Sequence, residues 1–138
     1  MKIKPEKFKY NNALLIDDNE LDNFINEKML EANSFVKKKY VCTNGKRALE
    51  FLNNIITSEG PESGTYPDII FVDLDMPIMD GFTFLENFMK IKNNGLQNCK
   101  VVILTSSINI EDKIKAEKID GHIAFVNKPI TNSILSQL

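Results

Sequence analysis

Two pairs of carboxylates stand at the ends of apolar runs in this 138-residue chain. Asp17 and Asp18 close the run ALLI at 13–16, and Asp73 and Asp75 follow IIFV at 69–72. Thr105, Ser106 and Ser107 end VVIL at 101–104, and Lys128 comes just after IAFV at 123–126. Clustered carboxylates repel one another, and their pKa values rise unless a counter-charge is at hand. A hard divalent cation supplies that charge. Oxygen ligands without His or Cys favour Mg²⁺, or Mn²⁺ in its place, and such an ion keeps several waters and takes a phosphate oxygen as a further ligand. A lysine ammonium can neutralise one phosphoryl oxygen while a Thr or Ser hydroxyl donates to another. With no activated Ser or Cys and no catalytic-type His, the remaining nucleophile is a carboxylate. The covalent state such a site can make is an aspartyl phosphate.

Those residues are far apart in sequence, so the elements between them must bring them together. Residues 13–16 read as a short buried strand. Over 19–33, NELDNFINEKMLEAN, the apolar Leu21, Phe24, Ile25, Met29 and Ala32 recur at helical spacing, which predicts an amphipathic helix that buries them, capped by Asn19 or Asp18. A second strand falls within 35–42, where the lysines at 37–39 suit an edge better than a centre. Ala48, Leu49, Leu52, Ile55 and Ile56 outline a helix from Gly45, and the Gly-, Pro- and Ser-rich stretch 58–67 reads as a surface loop insertion. Strand 69–72, a helix through Phe84, Leu85, Phe88 and Met89, and strand 101–104 follow. A helix near 110–119, strand 123–126 and a last helix capped by Thr131 complete the chain. Five β-rich runs alternating with helices predict βαβ units and an α/β fold, a parallel sheet with helices on both faces. In such open sheets ligands bind outside the carboxyl ends of the strands. That is where Asp17, Asp18, Asp73, Asp75, Thr105, Ser106, Ser107 and Lys128 fall.

Length and composition bound the alternatives. A mass of 15.7 kDa fits a single domain spanning 1–138, with 1–11 as an N-terminal extension. Seventeen basic against 19 acidic residues, a net charge of −2, give no general reason to expect nucleic acid as a direct partner. No apolar run reaches the length of a membrane span, so the expectation is a soluble, cytoplasmic protein. Cys42 and Cys99, in apolar surroundings without a CxxC or a neighbouring His, read as small core residues in a reducing compartment. His122, the one histidine, reads as a strand-end residue rather than a catalyst.

The spaced motifs LLIDDNE, FVDLDMPIMDG, VVILTSS and FVNKP together resemble the receiver domain of two-component response regulators along essentially the whole chain. The resemblance implies a doubly wound, flavodoxin-like five-stranded sheet in the order 2-1-3-4-5; that order is a worked example of the general rule for such folds. It implies that Asp17 and Asp18 help bind Mg²⁺ with Asp73 and the backbone carbonyl of Asp75. Asp73 is then the phosphoacceptor, supplied by a sensor histidine kinase or a histidine phosphotransfer protein. Thr105 and Lys128 contact the phosphoryl group, Thr105 and Phe125 form the switch, and Asp75 and Ser107 set the phosphoryl lifetime. Lys128 and Pro129 are implied to flank a cis bond. The face of the fourth helix, fifth strand and fifth helix is the implied docking surface for a downstream protein, and dimerisation there is left open.

Plainer readings stand beside these. Asp17 and Asp18 can be helix caps, Thr105 and Ser106 can end a strand, Lys128 can be a solvated lysine, and Phe125 is core in any case. Two rival functions compete as well. FVDLDMP loosely resembles the DxD nucleophile of haloacid-dehalogenase-type phosphatases, although that family places it on the first strand and needs a cap. A pseudo-receiver would keep the fold as an interaction module without phosphorylation, and such modules typically lose an acid or the lysine. The convergence of five sites favours the phosphoacceptor. No substrate turnover is expected beyond self-phosphorylation and autodephosphorylation. A chain ending at Leu138 leaves no room for an output domain, which fits either a stand-alone receiver or one cut from a longer protein.

Overall fold

The computed structural model describes residues 7–138. Five strands, β1 (Tyr10–Ile16), β2 (Val36–Cys42), β3 (Ile69–Asp73), β4 (Lys100–Thr105) and β5 (Ala124–Asn127), form one parallel sheet in the order β2-β1-β3-β4-β5. Between and after them run α1 (Glu20–Ala32), α2 (Gly45–Ser58), α3 (Gly81–Ile91), α4 (Ile110–Ile119) and α5 (Asn132–Gln137). Each helix starts where an Asn, Asp or Thr side chain accepts a first-turn N–H: Asn19, Asn44, Asp80, Asn109 and Thr131. The lysine-bearing β2 is an edge strand, as its pattern predicts. β1 begins three residues earlier than the apolar run suggests, so Tyr10–Asn12 belong to the sheet; the rest of the proposed extension lies partly outside the described residues.

Side chains alternate across each strand and divide the core in two. Leu14, Ile16, Ile70, Val72, Val101 and Ile103 face α2, α3 and α4, where Ala48, Leu52, Phe84, Leu85, Phe88 and Ala116 meet them. Ala13, Leu15, Ile69, Phe71, Val102 and Leu104 face α1 and α5, where the helices contribute only Leu30 and Leu135 to the buried set, with Phe35 and Ile130 from flanking turns. The central strand β3 is buried along its whole length, as expected of a strand covered on both faces.

The helix α1 turns a different face inward from the one its apolar spacing predicts. Leu21, Phe24 and Ile25 are 65%, 56% and 39% exposed and Ala32 is exposed, whereas Asn23, Asn26 and Leu30 are buried. Of the predicted stripe only Met29 packs against the core. The cause is local and polar. Asn19 fixes the helix start, and one turn later the Asn23 Nδ2 donates to the Asp17 carbonyl at 2.8 Å, which locks the rotation of the helix about its axis.

The stretch 58–67 is a surface connection anchored at the amino end of the sheet, away from the strand ends that carry the carboxylates. α2 runs to Ser58, a 3₁₀ turn covers Pro61–Ser63, and the buried Asn12 Nδ2 donates to the carbonyls of Gly64 and Tyr66 at 2.7 and 3.1 Å. Asn12 pins the loop.

Candidate functional site

The carboxyl ends of β1, β3 and β5 bring the predicted polar residues to one edge. One carboxylate oxygen each from Asp17, Asp18 and Asp73 lie within 4.8 Å of one another. Asp17 and Asp73 are buried and Asp18 is exposed. Asp17 is held from three sides: its Oδ1 accepts the Asn19 N–H at 2.9 Å, its carbonyl accepts from Asn23, and its N–H donates to the Cys42 carbonyl at 3.2 Å. From the end of β5, the Lys128 Nζ reaches back to Asp17 Oδ2 at 2.8 Å, Asp22 Oδ2 at 2.9 Å and Asp73 Oδ1 at 3.4 Å. The Lys128–Pro129 peptide bond is cis, and the Lys128 N–H donates to the Thr105 carbonyl at 2.8 Å, which fixes β5 to β4 at the site.

Burial pushes the Asp73 carboxyl up to about 6, and the Asp17 charge adds to that; the Lys128 charge and the Asp75 N–H partly offset it. Burial would lower the Lys128 ammonium, yet its hydrogen bonds to Asp17 and Asp22 and the Asp73 charge outweigh it and hold the group above its usual range. Lys128 is therefore charged throughout the physiological range, and without a further cation burial and the Asp17 charge favour the protonated form of Asp73. Three crowded carboxylate oxygens, and an acid whose ionisation is opposed by burial and a like charge, fit a hard divalent ion: Asp17, Asp18 and Asp73 have the donor chemistry to hold one.

Asp73 owes its place to a glycine. The Gly81 N–H donates to the Leu74 carbonyl at 3.0 Å, and a Cβ at Gly81 would lie 2.5 Å from the Asp73 carbonyl oxygen. The need for glycine here is the close approach of α3 to the end of β3, not a positive φ. A tight turn precedes it at Ile78, whose φ is +70° between a Pro77 carbonyl and a Met79 N–H only 2.7 Å apart.

The other predicted positions sort into nearer and farther. Thr105 is fully buried, and its Oγ1 accepts the Ser107 N–H at 3.0 Å. The Ser107 Oγ donates to Asp112 Oδ2 at 2.8 Å and accepts the Asn109 N–H at 3.1 Å, so its hydroxyl serves the start of α4. The side chain of Asp75 is exposed. Phe125 is half-buried and packs against the core on the α2–α4 side. His122 projects into solvent beside Asp120, before the amino end of β5 and so away from the carboxylates. Cys42 and Cys99 are buried free thiols, and burial raises both, Cys99 to about 12.

Two residues of the site are missing from the sequence reading: Asp22 and Asn23. Neither belongs to a strand end. A signal did exist, since Asn23, Asn26 and Leu30 recur at helical spacing, but two of the three are polar and a hydrophobic count passes over them.

Comparison with known proteins agrees with this geometry. A sequence model of the response regulator receiver domain matches residues 13–138. "Two-component response regulator 24" of Arabidopsis thaliana is 32% identical over 123 residues, covering 89% of this chain and 77% of that protein. "Sensor histidine kinase CheAY" of Helicobacter pylori is 30% identical over 124 residues; there the match covers 90% of this chain and only 14% of the relative. A two-component response regulator from Cytophaga hutchinsonii superposes with a TM-score of 0.82 at 28% identity, covering 94% of this chain and 93% of that one.

Proposed function

This chain belongs to the response regulator receiver domain family, and on that premise we propose that Asp73 is its phosphoacceptor. The observation that carries the assignment is the convergence of three strand ends: Asp73 lies with Asp17 and Asp18 in one carboxylate cluster and within 3.4 Å of the Lys128 ammonium. Among the described residues only Asp73 combines burial, contact with the lysine and a place at the end of the central strand.

In the proposed reaction an Asp73 carboxylate oxygen attacks the phosphorus of a phosphohistidine on a sensor kinase or phosphotransfer protein. A phosphorus–oxygen bond forms, the phosphorus–nitrogen bond breaks, and the imidazole leaves with the electron pair. Asp17, Asp18, Asp73 and the Asp75 carbonyl are the residues that would hold Mg²⁺ or Mn²⁺, which when bound supplies positive charge against the phosphoryl oxygens. Lys128 stands ready to donate to one of those oxygens. Thr105, whose hydroxyl now accepts from Ser107, turns toward another, and Phe125 moves into the space released. The face of α4, β5 and α5 then changes its affinity for a downstream protein, with dimerisation as one outcome, so that phosphate and partner are linked reciprocally. Asp75, exposed beside the acceptor, controls water access and hence phosphoryl lifetime. Ser107 takes part in this only if its hydroxyl leaves Asp112. A cytoplasmic site of action belongs to the same reading; among the described residues no helix is long and apolar enough to cross a membrane.

Incubation with Mg²⁺ and acetyl phosphate, followed by intact mass, tests the assignment. The wild type gains one phosphoryl group and Asp73→Asn gains none. Equal gain in the variant, or none in the wild type, sinks it.

A further inference from the structure

The Lys128 ammonium donates to Asp17 Oδ2 and Asp22 Oδ2 and forms an ion pair with Asp73 Oδ1. Asp17 and Asp73 belong to the oxygen cluster that suits a cation; Asp22 lies outside it. Asp22 holds a hydrogen bond from the ammonium at 2.9 Å, where Asp73 has an ion-pair contact at 3.4 Å. We propose that Asp22 is a positioning residue that competes with the phosphoryl group for Lys128, and that its release of the ammonium is a step in phosphorylation.

The proposal rests on Asp73 being the acceptor. A plainer account makes Asp22 a first-turn acid that complements the α1 dipole, a role Glu20 also fills. The dipole alone does not require Asp22 to face inward, yet its carboxylate points at an ammonium from a residue 106 positions away. Exposure decides which partner yields. The side chains of Asp17 and Asp73 are 5% and 7% exposed, and that of Asp22 is 36% exposed. A half-exposed carboxylate regains water when its partner leaves, whereas a buried one is left with an uncompensated charge. A phosphoryl group brings further negative charge and acceptor oxygens to Asp73. Lys128 then exchanges the Asp22 oxygen for a phosphoryl oxygen, and Asp22 turns to solvent at the start of α1. Until that exchange Asp22 holds the ammonium off the acceptor, so its charge raises the barrier to phosphorylation.

The test is a double-mutant cycle in the full chain with Mg²⁺ and sub-saturating acetyl phosphate, read by intact mass over time. Asp22→Asn is expected to speed phosphoryl gain about two- to fivefold, the size of a half-exposed ion pair, and to give no gain in rate in a Lys128→Gln background. A second measurement needs neither metal nor phosphate. In Mg²⁺-free protein the ¹⁵N resonance of the Lys128 ammonium, assigned by its loss in Lys128→Gln, shifts on Asp22→Asn. An unmoved resonance overturns the proposal, as does an unchanged or slower rate in Asp22→Asn, or the same acceleration when Lys128 is absent. A purely structural role would lower the melting temperature of Asp22→Asn without accelerating the reaction. If wild type accepts no phosphoryl group, the acceptor assignment falls and this proposal with it; normal acceptance that Asp22→Asn leaves unchanged overturns this proposal alone.

Discussion

The two faces of one sheet are finished in opposite ways. On the α2–α4 face, α3 alone buries Phe82, Phe84, Leu85 and Phe88, and the two rings of Phe84 and Phe88 stack with centroids 6.0 Å apart. On the α1–α5 face, the buried positions of α1 are Asn23, Asn26 and Leu30, while Leu21, Phe24 and Ile25 look outward. A helix that buries two asparagines and exposes a Phe gives up apolar burial. What it gains is position: α1 follows directly on Asp17 and Asp18, and its inner polar groups hold the Asp17 main chain and the Lys128 ammonium. One face is built for stability and the other for the site.

The largest test of that contrast compares two phenylalanines. Phe88, fully buried on α3, loses its contacts and leaves a cavity when truncated; Phe88→Ala should cost about 3–5 kcal/mol by urea unfolding. Phe24, more than half exposed, touches the Lys28 ammonium and little of the core, and Phe24→Ala should stay within about 0.5 kcal/mol of wild type. Equal losses would mean that α1 buries the face its hydrophobic spacing predicts.

The second test is the cost of the polar end. The Asp73 carboxyl is raised to about 6, above the usual value near 3.8, so the folded chain favours its protonated form. Stability linked to this group is therefore full below pH 4 and is lost as pH rises through 4 to 6. Without Mg²⁺, Asp73→Asn should be more stable than wild type by about 2 kcal/mol at pH 7.5, an advantage that fades as pH falls to 4. Mg²⁺ should cancel most of that advantage by stabilising the ionised acid. A variant no more stable at pH 7.5 than at pH 4, relative to wild type, would show that the Lys128 charge already compensates Asp73.

How much of this was readable without coordinates follows from the same contrast. The alternation of apolar runs and helices predicts the sheet, and the rule that ligands sit beyond the carboxyl ends of strands selects Asp17, Asp18, Asp73, Asp75, Thr105, Ser106, Ser107 and Lys128, of which the Ser107 hydroxyl serves the start of α4 instead. Strand ends are legible because the change from buried to polar is abrupt. The face of α1 was not, because hydrophobic periodicity reports which residues are apolar and assumes that these are inside. At a helix entry beside a buried acid, hydrogen bonds to the main chain outrank that preference, and Asn23 sets the phase. The Lys128–Asp22 contact has no sequence signal at all, since the two residues meet only through the fold.

The smallest expected effect lies in the loop between β3 and α3. Ile78 sits at φ +70° with a side chain 85% exposed. A β-branched residue in the left-handed region is strained, and solvent exposure offers no packing in return. Glycine has no Cβ to clash at such a φ, so Ile78→Gly should raise stability by about 0.5–1 kcal/mol in urea unfolding. The same change on a regular part of either face would be neutral or costly. Because the turn lies between Asp73 and Gly81, the strain is carried by the segment that brings the start of α3 within van der Waals contact of the Asp73 carbonyl. Relieving it should leave phosphoryl gain from acetyl phosphate intact if the Gly81 approach alone holds Asp73 in place. A more stable but slower variant would instead assign the strained turn to the positioning of Asp73, and would move this loop from the stabilising α2–α4 face to the site.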